Sequence, residues 1–208
     1  MMDVRDLGLI DYQDAWRIQQ QTVARVIEDR ARSFLLMCEH PAVLTLGRLA
    51  DRRHILYSPQ QLARQGVSVV PVDRGGEVTL HAPGQLVVYP ILNLEQYGKD
   101  LHRYLSMLEE VGIDFLKWFK VQGNRVKGKT GVWAGERKLI SVGIGVRKWI
   151  SFHGLSINIQ NDLALYQMIR PCGLDAAMTS LARETGDAVA MASAKQVMVE
   201  IFKKRFAL

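Results

Sequence analysis

Residues 131–159 constrain the fold more than any other stretch of this chain. Apolar runs over 138–146 and 149–159 follow Trp133 and the pair Gly135-Glu136, with no span between them that could hold a helix of ordinary length. Gly135-Glu136 suits a two-residue hairpin turn, whose backbone twist needs the conformational freedom of glycine. The segment therefore reads as a meander of antiparallel strands. The β-α alternation that builds a doubly wound parallel sheet fails after residue 130.

The rest of the chain supplies helices around such a sheet. Residues 12–30 carry Trp16, Gln19, Val23 and Ile27 near helical spacing, and 99–119 carry Leu101, Tyr104, Leu105, Leu108, Val111 and Phe115. Ser58-Pro59-Gln60-Gln61 has a cap, a proline at the first helical position and a glutamine that can close a capping box, and Gly66 ends that short helix. Helices are also expected over 162–168, 174–185 and 194–206, the last with Ser193 as its cap. Strands are expected at 33–38, 42–46, 67–72 and 86–92. The sum is an α+β fold, with a mixed, mainly antiparallel sheet flanked by helices. With 208 residues, 48% of them hydrophobic, a single domain over 1–208 is expected.

The N-terminus lacks a basic region followed by an apolar one, and no apolar run approaches the ~20 residues of a membrane span. A cytoplasmic chain is expected, with no membrane partner. Lys and Arg number 27 against 21 Asp and Glu, a net charge of +6, mostly interleaved. The exception is 117–129, where Lys117, Lys120, Arg125, Lys127 and Lys129 occur without an acid. That run is either a solvated loop or a docking surface for an acidic partner. No nucleic-acid motif accompanies it. The 5 histidines and 2 cysteines show no zinc-ligand spacing, no G-x-G-x-x-G follows a strand, and neither metal nor cofactor is expected.

Chemistry concentrates at three places. Cys172 lies in Ile169-Arg170-Pro171-Cys172-Gly173-Leu174, between a proline that fixes the chain and a glycine that permits close approach. A helix starting near Leu174 or Asp175 would aim free N–H groups at the sulfur and lower its pKa; the alternative is a small buried hydrophobe. Cys38, inside Phe34-Leu35-Leu36-Met37-Cys38, reads as core. A nucleophilic thiol needs a base or cation, and Lys138 is the candidate. It opens Lys138-Leu139-Ile140-Ser141-Val142-Gly143, and by strand alternation shares a face with Ile140, Val142 and Ile144. Partial desolvation there would depress its pKa, unless it snorkels to water from a sheet edge. The third place is 74–90, from Arg74-Gly75-Gly76-Glu77-Val78-Thr79-Leu80-His81 to Pro90. Its paired glycines admit a ligand close to the backbone, and Thr79 and His81 share a face. His81 and His153 are either acid–base groups or satisfied polar residues.

These segments together resemble the lipoate-biosynthesis octanoyltransferases, which are related in fold to lipoate and biotin protein ligases. The resemblance runs through Glu39-His40-Pro41, Thr45-Leu46-Gly47-Arg48, the 74–90 block, Gly131-Val132-Trp133, Lys138 to Gly143, His153-Gly154-Leu155-Ser156-Ile157-Asn158, Pro171-Cys172-Gly173 and Met178-Thr179-Ser180-Leu181. It implies a ligase-like catalytic domain and a Cys172/Lys138 dyad. Cys172 would take octanoyl from acyl carrier protein as a thioester, and a lysine of a lipoyl domain would then receive it. The acceptors implied are the lipoyl domains of 2-oxoacid dehydrogenases and the glycine cleavage H protein. Substrate-binding residues carry over to Arg74, Gly75, Gly76, Glu77, Val78, Thr79, Leu80 and His81, to Ser141, Val142 and Gly143, and to Gly154, Leu155 and Ser156. Ala134 and the Leu139-Ile140 pair depart conservatively from the family pattern. A monomer is expected. The rival on the same scaffold is an ATP-dependent ligase, which activates a free acid and needs no nucleophilic cysteine. A cysteine hydrolase would instead call for a histidine beside the thiol.

Overall fold

The chain opens with a strand that its own sequence conceals. In the computed structural model, which describes residues 2–170 and 177–206, β1 (Met2–Leu9) pairs in parallel with β2 (Ser33–Glu39) across helix α1 (Tyr12–Glu28). Strand β1 sits at the sheet edge and carries Asp3, Arg5 and Asp6, charges that blunt an edge and mask the strand pattern. Next come β3 (Val43–Leu46), helix α2 (Pro59–Arg64), β4 (Ser68–Pro71), β5 (Val78–His81) and β6 (Gln85–Ile91). Helix α3 (Leu101–Trp118) precedes β7 (Asn124–Val126), β8 (Lys129–Ala134), β9 (Arg137–Arg147) and β10 (Ile150–Asn158). The described chain ends with α4 (Leu181–Thr185) and α5 (Met191–Phe206).

Among the described residues the main sheet has the order β1-β2-β6-β10-β9-β8-β7, antiparallel except for the β1–β2 pair. A smaller sheet, β4-β3-β5, pairs β3 in parallel with β4 and antiparallel with β5. Strand alternation divides the core. Phe34, Leu36, Cys38, Val87, Tyr89, Ile91 and Phe152 pack under α1, while Leu35, Met37, Leu86, Val88, Leu155 and Ile157 join α3 and α5 on the other face. Gly112 of α3 lets that helix settle on the sheet; a Cβ there would come within 2.9 Å of Ile140 and Val132. No described helix is long and apolar enough to cross a membrane.

The capping box at Ser58 and Gln61 forms as read, and the 162–168 segment is a 3-10 helix over Leu163–Met168. Three expectations need correction. The helix expected over 174–185 begins only at Leu181, with Ser180 as its cap, because residues 177–179 run extended beside Lys138. Leu174 and Asp175, where a helix start aimed at the sulfur is expected, lie outside the described residues. The last helix starts at Met191, before Ser193. Finally, Lys138 does not continue the face of Ile140. Opposite Val132 and Trp133, β9 advances by one extra residue (Val132 faces Ile140, Trp133 faces Lys138), and this bulge re-aims the lysine.

Candidate active site

A cavity of about 520 Å³ opens at the bulge in β9. Arg74, Gly75, Gly76, Glu77, Val78, Thr79 and His81 form one wall. Lys138, Ser141, Val142 and Gly143 contribute from β9, and Gly154, Leu155 and Ser156 from the paired strand β10. Leu80 does not line it. It is fully buried with Leu44, Leu62 and Tyr166 in the core of the small sheet, on the opposite side of β5. Tyr12, Val87, Tyr89, Leu105, Ile144 and the turn at 127–130 also line the cavity, beyond the residues expected from the sequence. Tyr89 lies inside the 74–90 block and was accessible by alternation. Nothing local to Tyr12 or Leu105 signals an approach made through tertiary packing.

The wall is held by a buried cation. Arg74, 8% exposed, donates from Nη1 to the Gly75 carbonyl at 3.0 Å and from Nη2 to Thr45 O and Oγ1, both at 2.9 Å, and to Glu77 O at 2.8 Å. The Gly75 amide donates to Ile144 O at 2.8 Å, which ties this loop to β9. Gly47 permits the packing, since a Cβ there would lie 2.3 Å from Gly76 O.

Lys138 is 3% exposed and reaches the cavity with its ammonium 5.7 Å from the centre of the Trp133 ring. Its amide donates to Ala177 O and its carbonyl accepts from the Thr179 amide, both at 2.9 Å. Cys172 lies outside the described residues. The chain on its N-terminal side is fixed by the Arg170 amide, which donates to His54 O at 2.8 Å.

At the other end of the cavity, imidazoles and phenols are buried together. His153, 2% exposed, has φ 54° and stacks on Trp16 with ring centres 4.9 Å apart. Its amide donates to Gln19 Oε1 at 2.8 Å, its Nε2 lies 3.1 Å from Asp73 Oδ1, and its Nδ1 lies 3.4 Å from the Tyr12 hydroxyl. His81 is bonded through Nδ1 to Gln85 Oε1 at 2.7 Å, and His40 Nε2 meets Tyr89 Oη at 2.8 Å. Burial pushes all three imidazoles below their ordinary range, so they are neutral near pH 7. Burial raises Asp73, but its hydrogen bond and charge interaction with His153 outweigh that and hold it below the ordinary value. Of the two histidines singled out in the sequence, His153 is thus engaged through both ring nitrogens and His81 through Nδ1. Among the described residues no three His, Cys, Asp or Glu side chains are grouped to hold a metal ion.

The family model of the lipoyl protein ligase A/B catalytic domain matches residues 11–203, the stretch that holds both the small sheet and the cavity. The chain belongs to this family. Within it, the chain is similar to proteins named octanoyltransferase. One from Thermosynechococcus vestitus is 44% identical over 97% of this chain and 88% of its own length, and one from Maridesulfovibrio salexigens is 42% identical over 99% and 96%. Solved structures share the fold at low identity. A bi-partite lipoate protein ligase from Thermoplasma acidophilum has a TM-score of 0.72 and 12% identity, covering 100% of this chain and 85% of its own. The biotin protein ligase from Aquifex aeolicus with biotin and ATP has a TM-score of 0.60 and 14% identity, covering 99% and 70%.

Proposed function

We propose that this chain is an octanoyltransferase of protein lipoylation in which Cys172 carries the acyl group and Lys138 moves the protons. One observation carries the mechanism: the residues just beyond Cys172 are hydrogen-bonded to the main chain of Lys138, whose side chain opens into a cavity with apolar and glycine walls. Ala177 lies five Cα steps beyond Cys172, a span of at most about 18 Å when extended, and shorter in any bent path. That length of chain permits the Cys172 sulfur to be brought to the cavity mouth, as this reading requires.

In the first half-reaction the neutral Lys138 amine takes the Cys172 proton. The thiolate attacks the carbonyl carbon of an octanoyl thioester, and the departing carrier thiolate is protonated by the Lys138 ammonium. In the second, the neutral amine of an acceptor lysine attacks the Cys172 thioester and gives up a proton to Lys138. Cys172 leaves as thiolate and recovers that proton, and an amide has formed. Gly75, Gly76, Gly143 and Gly154, with Val78, Val142 and Leu155, provide a slot for the chain. Burying about six methylenes at ~0.8 kcal/mol each contributes about 5 kcal/mol to its recognition.

Octanoyl-acyl carrier protein is the donor in this reading. Lipoyl domains of 2-oxoacid dehydrogenases and the glycine cleavage H protein are the acceptors, met in the cytoplasm by one catalytic domain spanning the chain. Intact-protein mass spectrometry after mixing with octanoyl carrier protein tests it: the wild type gains one octanoyl group without ATP, and Cys172→Ala gains none. A wild type that stays unmodified, a modification retained in Cys172→Ala, or transfer that requires ATP and free acid would each defeat the mechanism.

A further inference from the structure

The loop at 47–56 joins the cavity wall to the chain that leads into Cys172. On one side the Arg48 amide donates to Arg74 O at 3.0 Å, the Leu49 amide to Gly76 O at 3.1 Å, and the His54 imidazole meets the Glu77 carboxylate at 2.9 Å. On the other, the Leu56 amide donates to Met168 O and the Arg170 amide to His54 O, both at 2.8 Å. This rim turns two leucines outward, Leu49 at 71% and Leu56 at 50% exposure. Around them Arg48, Arg52 and Arg170 are exposed and enter no ion pair among the described residues, whereas Arg53 is held by Asp51.

In the basic run singled out in the sequence, the one guanidinium, Arg125, is spent on Glu109 and Glu110, and the Lys129 ammonium lies over the Trp133 ring. Lys117, Lys120 and Lys127 are exposed and enter no ion pair among the described residues, but they are lysines. Unpaired guanidinium groups fit carboxylates and phosphodiesters in a bidentate manner that lysines do not. Exposed leucines set among them match a partner face that buries a few apolar side chains within an acidic surround. We propose that the 47–56 rim, with Arg170, docks the donor: an acidic carrier protein bearing its acyl thioester on a phosphodiester-linked arm. The proposal rests on the acyl-transfer reading above. Docking there brings the arm in beside the segment that carries Cys172, while the acceptor domain binds elsewhere.

The test compares acylation of the full-length protein by octanoyl carrier protein and by octanoyl-pantetheine, which has no protein to dock. In the double variant Arg52→Glu/Leu49→Ser, kcat/KM with the carrier-borne donor falls about tenfold or more and its salt dependence flattens. Acylation by octanoyl-pantetheine, which also reports on folding, stays at the wild-type rate, as does transfer from the acyl-enzyme to a lipoyl domain. Unchanged use of the carrier would overturn the proposal. So would an equal loss with both donors, a loss confined to the acceptor step, or a carrier-specific loss found in Lys127→Glu/Lys129→Glu instead. A wild type acylated by neither donor would sink the acyl-transfer reading itself, an outcome distinct from all of these.

Discussion

Lys138 and Thr179 are hydrogen-bonded neighbours: the Thr179 amide donates to the Lys138 carbonyl at 2.9 Å, across a gap of forty residues in the chain. With the matching bond from the Lys138 amide to Ala177, this fixes the lysine by its main chain on the edge of β9, whatever its side chain does. Lys138→Ala should therefore fold with a thermal midpoint near that of the wild type. It should slow both acylation and deacylation by about a hundredfold or more, the range for losing a positioned acid–base group. Lys138→Arg should not rescue either step, because a guanidinium does not release its proton. Single-turnover measurements of each half-reaction check this; a defect in only one would mean that Lys138 does not serve both.

Gly131 makes room for that lysine. Its φ is 129°, and a Cβ would stand 2.5 Å from Ile140 O and 2.7 Å from Lys138 Cε. Gly131→Ala should lower stability by about 2 kcal/mol or more and reduce activity through a displaced Lys138. Gly128 has φ 77° with nothing within 4 Å of an added Cβ, so Gly128→Ala should cost about 1 kcal/mol, from backbone conformation alone. Paired urea titrations separate the two. Equal costs would mean that crowding at Lys138 contributes nothing.

The contrast between those glycines also marks what a sequence can disclose. The meander, the capping box at Ser58 and the approximate bounds of α1 and α3 follow from periodicity and turn chemistry, which act over a few residues. The bulge at Leu139 does not. It arises from a mismatch between two strands and decides that Lys138 leaves the face of Ile140. The helix expected over 174–185 is shortened to Leu181–Thr185 among the described residues for a similar reason: pairing of 177–179 with Lys138 overrides local helical propensity until Ser180 caps. The cavity wall at 74–81 was legible because paired glycines and an arginine are unusual at a strand entry. Tyr12 comes from the first turn of α1, far away in the chain, and reaches His153 only in the folded protein.

Acid should weaken the fold through the buried imidazoles. Burial holds His40, His81 and His153 below their ordinary value of 6.5, so near neutrality they are uncharged in both folded and unfolded states. Below 6.5 the unfolded chain takes up protons that the folded one excludes, so stability is full above that pH and falls as pH decreases. Each such group contributes a slope of up to about 1.4 kcal/mol per pH unit. His153→Asn retains a residue tolerant of φ 54° and removes one titrating group, so its stability should fall less steeply between pH 6.5 and 5. Denaturant midpoints across that range measure the slope; a variant as steep as the wild type would show that His153 titrates alike in both states.

Arg74 tests whether the cavity wall depends on geometry or on charge. Its planar fork serves Gly75, Thr45 and Glu77 in directions set by two separate nitrogens, and the residue is almost wholly buried. Arg74→Met keeps much of the volume and leaves those acceptors without this donor, which should cost about 2–4 kcal/mol. Arg74→Lys keeps the charge, but a single ammonium on a shorter reach cannot meet Gly75 and Thr45 together, so it should recover only part of that loss. Activity should fall in both beyond what unfolding explains, since the Gly75 loop would no longer be held against Ile144. Urea midpoints together with octanoyl-pantetheine turnover, taken well below the unfolding transition, decide the matter. Full recovery of both by lysine would show that a positive charge alone holds the wall.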